Sequence, residues 1–100
     1  VDRDPVAVYE GFSFQVEDAA ASVENMLLAA TALGYASVWI EGWLMLEGRA
    51  AKIGKVLNVP GNKVIKIMLP IGVPDEKMPQ KERKPFEERA WFNSYGAAAA

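Results

Sequence analysis

The sequence predicts an α+β chain, and three observations lead there. Apolar residues recur at helical spacing between Asp18 and Leu33, Ala36–Ile40 and Lys63–Leu69 are short runs rich in β-branched residues, and glycine or proline punctuates each junction. At 100 residues the chain suits one domain, residues 1–96, and its 51% apolar and 24% charged content is that of globular material rather than a disordered tail. Residues 97–100 are a poly-alanine tail of low complexity with no function assigned.

Val6–Tyr9, after Pro5, reads as the end of a buried strand, and Gly11–Glu17 as a connection. Asp18 then stands before three alanines, the best helix formers, as the expected N-cap. Val23, Met26 or Leu27, Ala30 and Leu33 form one apolar stripe, which Leu28, Ala29 and Ala32 widen to most of the circumference. A helix of that kind is buried on more than one side. Gly34 supplies the left-handed residue that stops it.

Ala36–Ile40 reads as a buried strand, broken at Gly42. A second helix is expected over Gly48–Leu57, with Ala50, Ile53, Val56 and Leu57 inward and Arg49, Lys52 and Lys55 outward. Asn58–Asn62 is turn chemistry, and Lys63–Leu69 is a strand of the same sheet. Pro70, Pro74 and Pro79 keep the following segment extended over the surface. Pro85 suits the first turn of a helix, and Glu87 and Glu88 suit its positive end, so Phe86–Tyr95 reads as a short amphipathic helix or turn. Trp91 and Tyr95, four residues apart, would share one face.

Composition excludes several chemistries. Without cysteine or histidine there is no disulfide framework, no Cys/His zinc site, no thiol nucleophile and no Ser-His-Asp triad. No metal site is expected, because the paired carboxylates Asp75-Glu76 and Glu87-Glu88 lack calcium-loop spacing. A net charge of −2 gives no footprint for nucleic acid. No apolar run is long enough to span a bilayer, and the opening Val-Asp-Arg-Asp-Pro does not read as a secretory signal, so a cytoplasmic protein is expected. Any reaction would then fall to a bound cofactor.

Two constellations could hold one. Backbone amides at the Glu41-Gly42 turn could meet the edge of a flat ligand, since Gly42 has no Cβ to hold it away. In Lys81-Glu82-Arg83-Lys84-Pro85, the side chains at i and i+2 of an extended segment share one side, which pairs Lys81 with Arg83 as partners for a phosphate. Taken singly, each reads more readily as a core turn or a solvated charge run.

The run Asn25–Gly42, ending in Ile40-Glu41-Gly42, resembles the core helix, strand and turn of the FMN-dependent nitroreductase family. The resemblance continues through Lys63–Gly72 and Lys81–Asn93 and covers the family's C-terminal half; the N-terminal half, with its Arg/Ser-rich flavin-binding segment, finds no counterpart. It implies a central, mainly antiparallel sheet flanked by helices. It also implies a homodimer, onto whose other subunit the aromatic C-terminal segment (Phe86, Trp91, Phe92, Tyr95) wraps, unless that segment packs on its own core. By the same resemblance the Glu41 and Gly42 amides would reach the flavin edge, Trp39 and Ile40 would line the ring, Lys81 and Arg83 would hold the FMN phosphate, and Trp43 would border the substrate pocket. The implied activity is ping-pong electron transfer from NAD(P)H through FMN to a small-molecule acceptor, a nitro compound or quinone, with no side chain as catalytic acid or base. The alternative is a non-catalytic C-terminal fragment or dimerisation half without a complete flavin site.

Overall fold

The computed structural model describes residues 1–97; the last three alanines of the expected poly-alanine tail lie outside the described residues. Its longest element is α1, Gln15–Ala32, followed by β1 (Ala36–Ser37), α2 (Gly42–Met45), α3 (Arg49–Val56), β2 (Ile71–Gly72) and a 3-10 turn at Phe86–Glu88. The architecture is α+β, with β1 and β2 paired as a two-stranded antiparallel sheet.

Helix α1 begins three residues before the expected cap. Phe14 is the N-cap, the Gln15 amide donates to Ser13 Oγ at 3.3 Å, and Asp18 lies in the first turn beside Glu17, near the positive end of the helix. Its end is as expected. Gly34 sits at φ +86°, and the Gly34 and Tyr35 amides donate to the Thr31 and Ala30 carbonyls at 3.1 and 2.9 Å. Asn58, at φ +55°, closes α3 in the same way, its amide and that of Val59 donating to Lys55 and Gly54.

The sheet is shorter than the residue pattern suggests, for a local reason. Ala36 pairs with Gly72, Ser37 with Ile71, and Ile40 with Met68 through a reciprocal pair of hydrogen bonds of 3.1 and 2.9 Å, all in one register. That register sets Val38 opposite Pro70, which has no N–H, and the ladder lapses there. Ser37 Oγ bridges the gap by donating to the Pro70 carbonyl at 2.8 Å. Lys63–Leu69 is therefore not the regular strand expected; it runs half-buried between its bridge to Asp2 and its bridge to Ile40.

Other expectations fail through want of burial. Val6–Tyr9 is not a buried strand: Val6, Val8 and Tyr9 are exposed, and the chain turns tightly at Glu10 and Gly11, both at positive φ, to return Phe12 against Tyr9. Val56 and Leu57 face outward. Phe86–Tyr95, expected as a helix or a turn, takes the second form, a 3-10 turn followed by bends with Pro85 at its N-cap. Trp91 and Tyr95 nevertheless meet, their ring centroids 4.3 Å apart.

Among the described residues only Ala30, Leu44 and Gly54 are fully buried. Helix α1, expected to be covered on several sides, leaves Met26, Leu28 and Leu33 exposed. The surface totals 8571 Å², where a compact chain of this size would expose about 5,600 Å². The radius of gyration is 18.3 Å, against about 13 Å for a compact domain.

Candidate functional site

The strand-end turn is built from inside the chain. Both main-chain groups of Ile40 are tied to Met68, which fixes where the strand stops. The Glu41 carbonyl accepts the Leu44 amide at 2.9 Å and the Met45 amide at 3.3 Å, so α2 starts at Gly42 rather than the open turn expected. Leu44, at 1% exposure, anchors that short helix against α3. Trp39 and Glu41, two apart, point the same way, and the Trp39 indole N–H donates to Glu41 Oε2 at 3.0 Å.

No hydrogen bond among the described residues uses the Glu41 or Gly42 amide. Gly42 is exposed and outside the left-handed region, and a Cβ built on it would meet nothing within 4 Å. The chain itself therefore does not require glycine here. Free donors beside open space could meet the edge of a flat heteroaromatic ring.

Trp43 follows at the mouth of the turn, 51% exposed. Arg49 holds it. Its guanidinium carbon lies 4.7 Å from the Trp43 ring centroid, Nη1 donates to the Trp43 carbonyl at 3.2 Å, and Nη2 pairs with Glu47 at 2.7 Å. Residue type and helical phase set Arg49 outward, yet it lies half-buried. Its one sequence signal is position: it follows Glu47 and Gly48, both at positive φ, whose corner folds α3 back towards Trp43.

Lys81 and Arg83 stand on an extended, exposed segment with no hydrogen bond or ion pair to another described residue. Nothing within the chain draws them to the turn. Among the described residues no group of three or more acidic, His or Cys side chains is gathered to hold a metal, and no helix is long and apolar enough to cross a membrane. Hydrogen bonding and charge from Lys63 hold the Asp2 carboxyl below its ordinary value.

The profile of the nitroreductase family matches residues 6–73, a span that contains α1, the strand-end turn, the Arg49 corner and β2. The chain belongs to the nitroreductase family. A relative from Archaeoglobus fulgidus, named "Putative NADH dehydrogenase/NAD(P)H nitroreductase", is 37% identical over 78 residues. That alignment takes in 77% of this nitroreductase-family chain and 44% of the relative, so the chain spans less than half of the relative's length. Trp39, Ile40, Glu41, Gly42 and Trp43 lie inside the family match, whereas Lys81 and Arg83 lie beyond its end.

Proposed function

We propose that this chain supplies the C-terminal half of an FMN-dependent NAD(P)H oxidoreductase of nitroreductase type, a cytoplasmic homodimer that reduces nitro compounds or quinones. Family membership supports the reaction class, and the relative's name supports NAD(P)H as reductant. The observation that carries the flavin assignment is the turn at Glu41-Gly42: unused amides, an exposed glycine its own chain does not need, and a position inside the family match.

In this reading the Glu41 and Gly42 amides reach the N5/O4 edge of the ring, Trp39 and Ile40 line it, and Trp43 forms a wall of the acceptor pocket. Lys81 and Arg83 grip the phosphate, lysine as a point charge and arginine through its fork. When bound, FMN supplies the hydride chemistry, and one exposed face serving both substrates in turn gives ping-pong kinetics. The chain's residues bind and orient, and none of them acts as acid or base.

The test is colour and its response to reductant. Purified intact protein should carry yellow flavin that bleaches with NADH or NADPH and recovers on adding a quinone. A colourless protein that takes up no added FMN would sink the proposal. It would favour a second reading, a non-catalytic half that serves assembly, which the large exposed apolar surface also suits.

A further inference from the structure

We infer that Arg49 is a positioning residue, which fixes Trp43 as a rigid aromatic wall beside the Glu41-Gly42 turn and so makes the site selective for acceptors with a flat conjugated ring. This inference rests on the flavin reading for the acceptor and on geometry alone for the clamp.

An exposed indole ordinarily samples several rotamers, and an isolated surface ion pair such as Arg49–Glu47 does little by itself. Here one guanidinium serves three contacts at once. It covers one face of the Trp43 ring, donates to the carbonyl of the same residue, and is paired with Glu47. The Trp43 carbonyl also accepts the Leu46 amide at 3.4 Å, so ring and main chain are gripped together. Glu47 and Gly48, at φ +55° and +66°, form the corner that returns Arg49 over the ring. Only a planar fork makes such a set; a lysine could keep the charge near the ring but not all the hydrogen bonds.

The consequence is asymmetry. With a cation over the ring, half of the residue's surface still remains exposed, and the space at neighbouring Gly42 is open. A flat, electron-poor ring can stack there. An acceptor with no flat conjugated ring gains nothing from it.

The experiment uses the intact protein with Arg49→Ala and Arg49→Lys, each in the native and the Trp43→Phe background, and with Arg49→Ala in the Trp43→Ala background. In flavin-free protein, acrylamide quenching of the emission lost with Trp43→Phe reports the clamp. Arg49→Ala should raise it and Arg49→Lys should raise it less; equal quenching in all three proteins would overturn the clamp. In the flavin-loaded protein, Arg49→Ala should raise KM for a benzoquinone about two- to fivefold, the scale of an exposed cation–π contact. KM for ferricyanide, which cannot stack, should move less than the benzoquinone value. Added to Trp43→Ala, Arg49→Ala should raise the benzoquinone KM no further. Equal rises for both acceptors, or an undiminished rise in the Trp43→Ala background, would overturn the selectivity. A protein that takes up no flavin would overturn the flavin reading and the selectivity with it, and the quenching would still decide the clamp.

Discussion

Replacing Gly42 with alanine should separate what the fold needs from what a ligand needs. The added methyl group enters open space, with nothing within 4 Å, and the backbone is not in the left-handed region. Gly42 is the first residue of α2. An unstrained Gly→Ala change there should stabilise the folded state by about 0.4–1 kcal/mol, because the unfolded chain loses freedom. Flavin binding should move the other way. A Cβ at the point of closest approach pushes the ring from the Glu41 and Gly42 amides. Losing one such hydrogen bond to a partly charged acceptor costs about 1.5–3 kcal/mol, or roughly ten- to a hundredfold in Kd. The assay pairs denaturant melts of flavin-free protein with FMN titration by fluorescence. Unchanged FMN affinity in a variant at least as stable as the native protein would refute the placement of the ring. A large loss of stability would refute the claim that the chain itself does not need this glycine.

Three further outcomes follow from other parts of the molecule. Leu44→Ala removes the one large side chain that is fully buried among the described residues, at a cost of about 2–3 kcal/mol, at the low end for leucine because the cavity of about 400 Å³ that Leu44 lines lets the site relax; a change below about 1 kcal/mol in a denaturant melt would contradict its role as the anchor of α2. Replacing both Lys81 and Arg83 with alanine should release FMN at unchanged far-ultraviolet dichroism, and undiminished flavin retention would remove the phosphate assignment. Lys63→Met should return the Asp2 carboxyl to its ordinary range in an NMR titration, since Lys63 causes its depression. Because that value is depressed in the folded state, the pair's contribution to stability is present above the unfolded value and fades as pH falls through the folded one. A stability profile steeper in acid for the variant than for the native protein would reverse that sign.

Residues whose structure is decided locally were legible in the sequence. Gly34 and Asn58 stop their helices because left-handed residues there are cheap and the last carbonyls need donors. Helix α3 and the turn after it lie within a residue of their expected limits for the same reason. The end of the strand at Ile40, where the ladder closes on Met68, was legible through the Ile-Glu-Gly pattern. What depended on distant partners was not. Whether Val6, Val8, Val56 and Leu57 are buried depends on what covers them, and their apolar character alone placed them inside. The lapse of the ladder opposite Val38 needed the register to set Pro70 there. Arg49 escaped because an arginine on the outer phase of a helix reads as solvated, and only the corner at Glu47 and Gly48 brings it to Trp43.

The two ends of the proposed flavin site differ in how they are held. The ring end is preformed: Ile40 is hydrogen-bonded both ways to Met68, Leu44 is buried, Trp39 holds the Glu41 carboxylate, and Arg49 holds Trp43. The phosphate end has none of this, since Lys81 and Arg83 lie on an exposed strand of chain without partners among the described residues. The chain also exposes about 3,000 Å² more than a compact molecule of its size. That excess is several times the roughly 800 Å² that one side of an ordinary protein interface buries. Such a surface calls for extensive packing against further polypeptide, whether the rest of the fold or a second protomer. The same packing is what would bring the Lys81–Arg83 segment to a phosphate. Affinity for FMN should therefore depend on assembly far more than the conformation of the turn does. Diluting a dimer below its dissociation constant should release flavin while the Trp43 emission stays unaltered, and loss of both together would show that the turn, too, is made only on assembly.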